Sequence, residues 1–329
     1  MKSSIFRWCH GRASAARATW ILLVAWCGVM PLPAWDYEGH RVVNQLALAS
    51  LPTNFPAFVF TSAARERIAF LSGEPDRWRN SPDLSFRHAN APDHFFDMDD
   101  LPELGMDWRA LSPFRSEFTA HLAAARAARP ERFPPPDAAH DADRTKALFG
   151  FLPWAITEHY AKLKSAFSYL RELETAGTPE EVANARENVI YVMGVMGHYV
   201  GDAAQPLHTT KHYNGWVGAN PHRYTTNRTF HSWIDGGYFS KAGLDREALL
   251  KRLRPARLLT SEASGSHTNV FPVVMRYLRE QFERVETLYR LDRDDKLAGR
   301  AGIHPEGYEF MAGQILVGAQ ALGDLWLTA

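Results

Sequence analysis

Cysteine is nearly absent from this 329-residue chain: the only two, Cys9 and Cys27, fall within its first 34 residues. Beyond them no disulfide can form, so stability has to come from packing or from bound ligands. Net charge is missing as well. Lys+Arg and Asp+Glu both number 37, which excludes bulk charge as the means of holding duplex nucleic acid or an anionic membrane. The apolar run from Trp20 to Met30 is shorter than the ~20 residues of a spanning helix. Strand-type alternation of any length is lacking too, which argues against a β or α/β fold.

What the first 34 residues do contain is the pattern of an export signal. Lys2, Arg7, Arg12 and Arg17 precede the apolar run, no acid interrupts it, and Pro31-Leu32-Pro33-Ala34 follows. Cleavage after Ala34 is expected, giving an exported protein, periplasmic or secreted, that begins at Trp35. It would carry 33 basic and 37 acidic groups, a net charge of −4.

Helical periodicity runs through the remainder. Leu152, Ile156, Tyr160, Leu163, Phe167, Leu170 and Leu173 advance in steps of three and four, and Gly177 marks a stop. Thr178-Pro179-Glu180-Glu181 is a capping box with proline at the first helical position. It opens a stripe from Val182 through Ala185, Val189, Val192 and Met196 to Tyr199, ended near Pro206. Val270 to Leu288 predicts another long helix, and Tyr308 to Trp326 the last. The expectation is a single all-α, multi-helix domain over residues 35–329. The proline-rich stretch 128–143 reads as a mobile surface loop, and 209–230 as a loop rimming a site.

The chemistry-bearing residues crowd into one block. His198 and Asp202 are four apart and share a helix face, flanked by Gly194, Gly197 and Gly201, which admit close neighbours. Pro206 ends the helix and turns His208 back towards them. His231 and Asp235 repeat the four-residue spacing. Neutral imidazoles mixed with carboxylates are the donor set that zinc takes, so this pattern indicates a metallohydrolase.

With those residues in view, the chain resembles the zinc-dependent phospholipase C and single-strand-specific nuclease family, all-α enzymes with three zinc ions in one cleft. The resemblance spans Trp35 to Asp235. It rests on Trp35 after the expected cut, Gly39-His40, Pro75-Asp76 with Arg79, His94-Phe95-Phe96-Asp97, and the run from His198 to His208. It implies three zinc ions. Asp76, His94, His198 and Asp202 would hold the first; Trp35 (through its free amine and carbonyl), His40 and a shared Asp202 the second; His208, His231 and Asp235 the third. Two zincs bridged by a carboxylate would provide hydroxide at neutral pH, and the third would stabilise the leaving alkoxide. Asp76 would orient the attacking hydroxide and Arg79 would neutralise charge on the phosphoryl oxygens. Asp83 and Asp93 compete with Asp76 for its role, and Arg77 with Arg79.

Nuclease and phospholipase C share this site, so substrate must be argued from elsewhere. The close spacing of Trp35 and His40, and Asp rather than Glu at 235, lean towards single-stranded RNA or DNA and 3′-nucleotides. Phe95 and Asp97 would stack and hydrogen-bond a base. Against this, the stretch between His94 and His198 is longer than in the fungal and plant nucleases, and the Gly-Gly-Asn usual after the central motif is absent. A phospholipid headgroup is therefore the alternative substrate. A catalytically silent zinc-binding module is disfavoured by the intact set of nine groups. No stable protein partner is expected. His212 and His222 could touch substrate; His88, His121, His140, His159, His267 and His304 read as non-ligands.

Overall fold

The computed structural model describes residues 37–133, 137, 139–146, 148–259, 269–299 and 302–329. The expected export signal and Trp35 lie outside them, as does His267. The fold is all-α. In chain order its helices are α1 (Tyr37–Ser50), α2 (Ser62–Leu71), α3 (Glu74–Arg79), α4 (Leu84–Asn90) and α5 (Arg115–Ala127). After these come α6 (Leu152–Ala176), α7 (Pro179–Ala204), α8 (Phe230–Ser232), α9 (Tyr238–Ala242) and α10 (Arg246–Arg252). The last three are α11 (Phe271–Phe282), α12 (Val285–Arg293) and α13 (Pro305–Thr328). Among the described residues the only strand pairing is Ala298–Gly299 with Gly302–Ile303.

The capping box forms as expected: Thr178 Oγ1 accepts the Glu181 N–H at 3.2 Å, and Glu181 Oε2 accepts the Thr178 N–H at 2.8 Å. The helix it opens is central. Its first turns are amphipathic, but every residue from Met193 to Thr210 is buried, the signature of a helix enclosed on all sides. α6, α13, α2, α1 and α11 all pack against α7.

Small residues make that enclosure possible. A Cβ on Gly197 would stand 1.8 Å from Asn44 Oδ1 of α1, and one on Gly201 would stand 2.8 Å from His40 Nδ1. α1 therefore lies closer to α7 than any side chain there would permit. Asn44 locks the approach, donating from Nδ2 to the Ile68 carbonyl at 2.9 Å and the Gly194 carbonyl at 3.1 Å. One buried amide thus ties α1, α2 and α7 together, one turn from His40. At the far end, Gln314 Nε2 donates to the Ala204 carbonyl at 2.7 Å, satisfying one of the acceptors that a helix end leaves free.

One expectation is corrected. The stripe from Val270 to Leu288 is not a single helix but α11 and α12, separated at Glu283 and Arg284. Both linking residues keep near-helical angles (φ −64°, ψ −14° and φ −88°, ψ −12°). The apolar phase therefore runs on through the break, from Leu278 to Val285, Leu288 and Tyr289, and periodicity cannot reveal it. In the stretch 128–143, residues 134–136 and 138 lie outside the description and the others form turns.

Gly197→Ala is expected to destabilise by ~1–3 kcal/mol, the usual cost of overpacking a close contact. Gly313, whose Cβ would meet nothing within 4 Å, is the control; Ala there should be neutral or stabilising by up to ~1 kcal/mol. Equal thermal midpoints for the two variants would contradict the close approach of α1 to α7.

Candidate metal centre

Eight of the nine predicted ligands converge in the structure. α1 brings His40, α3 brings Asp76, and a 3₁₀ turn at Ala91–His94 brings His94. α7 brings His198 and Asp202, the 3₁₀ turn Pro206–Thr209 brings His208, and α8 with the turn after it brings His231 and Asp235. Asp235 sits in a π-helical turn, Trp233–Gly237. The π-turn widens the helix by one residue per turn, a distortion that recurs at functional sites.

Three groups of ligand atoms form, each with all its atoms within 4.8 Å of one another: His40, His198 and Asp202; Asp76, His94 and His198; and His208, His231 and Asp235. His198 belongs to two of them, so geometry alone places it between the first two positions. Asp202 lies at the centre. Its Oδ2 is 2.9 Å from His94 Nδ1 and 3.2 Å from His198 Nε2. Its Oδ1 faces His40 Nε2 at 3.5 Å and His208 Nδ1 at 3.6 Å. Each carboxylate oxygen thus serves a different side of the cluster, as a bridging ligand must. In the third group His208 Nε2 is 3.1 Å from His231 Nε2, and His231 Nε2 is 2.5 Å from Asp235 Oδ2.

The donor set fits a divalent metal on three counts. First, buried polar atoms are left without hydrogen bonds here: both ring nitrogens of His40, His94 Nε2 and Asp202 Oδ1. An unsatisfied buried group costs ~1–3 kcal/mol, so such a concentration needs a compensating charge. Second, outer partners fix the ligands. His198 donates its Nδ1–H to the Ser72 carbonyl at 2.7 Å, and His208 donates its Nδ1–H to the His94 carbonyl at 2.6 Å. A carbonyl only accepts, so Nδ1 keeps its proton and Nε2 is the ring nitrogen left facing the cluster, able to ligate once any proton on it is displaced. Third, the protonation states suit ligation. Burial drives His40 down to about 3 and His94 to about 4, keeping both imidazoles neutral. Burial works against Asp202, yet His198 and His208 hold its carboxyl well below the usual range. Burial likewise opposes ionisation of Asp76, which Arg79 and then His198 bring down to about 2. His208 is opposed by burial but held up at about 9 by Asp202 and Asp235. Those protons are the ones a bound cation would replace.

The competing residues separate cleanly. Asp83 caps α4, accepting the Ser85 and Phe86 N–H groups, and Asp93 pairs with Arg115 Nη1 at 2.7 Å. Arg77 pairs with Glu74 at 2.6 Å, whereas Arg79 pairs through Nε with Asp76 Oδ1 at 2.7 Å and lines the cleft. His212 is buried and stacks on Trp216 with centroids 3.8 Å apart, and neither it nor His222 lines that cleft.

The cleft has a volume of about 690 Å³, within the range of small-ligand sites. His94, His208 and His231 edge it, together with Phe95, Asp97 and Tyr213. Sequence reasoning passed over four contributors. Gln205 donates from Nε2 to Asp235 Oδ1 at 2.6 Å while its Oε1 accepts the Leu207 N–H at 2.7 Å. Asn214 Oδ1 accepts the His231 N–H at 3.2 Å. Ser72 acts through its backbone, which no residue type announces, and Tyr213 reaches the cleft from the 209–230 loop. Only Gln205, within the His198–His208 run, carried a signal. No protein-family model matches the chain, and no curated protein matches it, so its own residues carry the argument.

Asp202→Ala should lose more bound divalent metal than Asp235→Ala, because the Asp202 oxygens face two ligand groups. Plasma-emission analysis of both variants showing the reverse order would contradict that arrangement. Gln205→Leu should weaken metal binding at the His208, His231 and Asp235 group by about 10- to 100-fold, the usual effect of losing an outer-sphere partner. Competition titration with a chelator measures it.

Proposed function

We propose that this chain is an exported zinc-dependent phosphodiesterase that hydrolyses single-stranded RNA or DNA and 3′-nucleotides. The observation that carries the reading is one cleft edged by two of the three His/Asp groups and also by Arg79, Phe95 and Asp97. The ligand sets fit zinc, which takes imidazole and carboxylate donors together. Asp76, His94, His198, Asp202 and His40 would hold one close pair of ions, with Trp35 completing it; His208, His231 and Asp235 would hold a third. Zinc bound there would supply Lewis acidity, lowering the pKa of a coordinated water and drawing charge from phosphoryl oxygen.

The residues of the chain divide the remaining work. The Arg79 ion pair with Asp76 runs through Nε, leaving its terminal amino groups for a bidentate grip on phosphoryl oxygens. That same pair fixes the Asp76 carboxylate against the cluster. Phe95 is half-buried on the cleft wall, backed by Gly150, where a Cβ would stand 1.9 Å from the Phe95 carbonyl oxygen. It offers a ring face on which a base can stack. Asp97 lines the cleft beside it; burial, with Asp99 and Asp100 adding to it, pushes its carboxyl well above the usual range. A carboxyl shifted in that direction would donate as well as accept wherever it holds its proton, which would suit the mixed edge of a nucleobase.

Phe95→Ala is expected to raise KM for oligonucleotides. Loss of one base–aromatic stack, ~1–3 kcal/mol, corresponds to about 5- to 150-fold in kcat/KM. Asp97→Ala should change preference among bases yet leave bis(p-nitrophenyl) phosphate hydrolysis nearly unchanged. Equal losses on every substrate would mean that both residues shape the metal cluster instead. Wild-type protein that cleaves phosphatidylcholine but neither RNA nor DNA would replace this reading with a phospholipase C.

A further inference from the structure

The stretch between His94 and His198 includes a turn, residues 141–146, which with Leu148 supplies Thr145 and Lys146 to the wall of the cleft. That turn is built, not draped. Asp141 is buried, at 2% exposure, and its Oδ1 accepts the N–H groups of Thr145 at 2.9 Å and Lys146 at 3.3 Å. Asp143 joins it to α4: its Oδ2 meets Arg87 Nε at 2.8 Å, and its carbonyl accepts the His88 Nδ1–H at 2.7 Å. Just past the turn, the Phe149 carbonyl accepts the Asp97 N–H at 2.7 Å, which seats the segment against the two residues of the proposed base pocket.

Lys146 is exposed on this turn; among the described residues its ammonium makes no ion pair within 4 Å, and the acid that its charge reaches is the exposed Asp137. Arg79, on the cleft wall, is engaged with Asp76 through Nε, and Arg87, beside the turn, with Asp143. An unpaired lysine on an anchored wall, beside a cleft the size of one small ligand, marks where an anion leaving that cleft would pass.

We propose that Lys146 forms a second phosphate subsite, binding a backbone phosphate next to the scissile one in a single-stranded substrate. The inference rests on the phosphodiesterase reading and narrows it: the preferred substrate carries more than one phosphodiester. A lysine suits the task, because its compact charge and flexible stem accept a phosphate at several angles without demanding a base sequence.

The test pairs binding with kinetics on the zinc-loaded protein. Anisotropy with a phosphorothioate-linked octathymidylate reads binding apart from turnover. Lys146→Ala should raise Kd roughly 5-fold at low salt and reduce the slope of log Kd against log salt by ~0.7, the share of one single-strand phosphate contact. Lys146→Arg should retain most of the binding, and Lys146→Glu should weaken it further. KM for an octanucleotide should rise in Lys146→Ala, while kcat/KM for bis(p-nitrophenyl) phosphate, which has one phosphate, should not move. An unchanged salt slope, or equal loss on both substrates, overturns the subsite while leaving the phosphodiesterase reading in place. Wild-type protein that neither binds nor cleaves single strands overturns that reading, and the subsite with it.

Discussion

A carboxylate with no solvent exposure lies among four histidines, and the rest of this structure is arranged to tolerate it. Asp202 is fully buried, with His40, His94, His198 and His208 around it. Removing an ion from water costs several kcal/mol even after relaxation, so that position persists only if positive charge is supplied at close range. His208, held up at about 9 by Asp202 and Asp235 against burial, supplies part of it, and a divalent cation would supply more. The surrounding helices exclude water and thereby strengthen whatever charge compensates. Glycines on α7 let α1 approach, Asn44 holds that approach, and Gln314 closes the helix end. These contacts are features of packing, yet each fixes a ligand or its neighbour.

Much of this was legible from the chain because two periodicities coincide on α7. The Val182 to Tyr199 stripe specified a helix, and the four-residue spacing of His198 and Asp202 placed two donors on one face of it. The capping box fixed where it starts, Pro206 where it stops, and the turn after Pro206 returns His208 to the cluster. The same arithmetic succeeded for α6 and α13. Residues at fixed offsets within one element are what a linear pattern encodes well.

The remainder was hidden for identifiable reasons. The break between α11 and α12 preserves helical phase, so no stripe of side chains registers it. The π-turn holding Asp235 shifts backbone geometry while His231 and Asp235 keep a spacing of four, which an ordinary helix would equally satisfy. Ser72 acts through a carbonyl, and every residue has one. The choice between Asp76 and its neighbours depended on what each one pairs with: Arg115, fixed on α5, occupies Asp93, and a local cap occupies Asp83. Of the turn at 141–146 only the first three residues fell within the stretch read as a mobile loop, 128–143, and its contribution depends on where α4 and Phe149 hold it.

Exposure then divides the cluster in a way that bears on chemistry. His40, His198 and Asp202 have no exposure, and His94, which meets the cleft, has 1%. In the third group His208 and Asp235 are equally buried, but His231 keeps 20% of its side chain open to the cleft, and Asp76 keeps 21%. The sealed ligands sit where water is excluded and charge acts strongly, whereas His231 lines the cleft and Asp76 keeps its partial exposure behind Arg79. Phe95, Asp97 and Arg79 line that same cleft. A ligand reaching the cleft therefore meets ring face, carboxyl, guanidinium and the open edge of the third group together. The deeply buried Asp202, which the fold goes furthest to accommodate, would act on such a ligand only through an ion that it helps to hold.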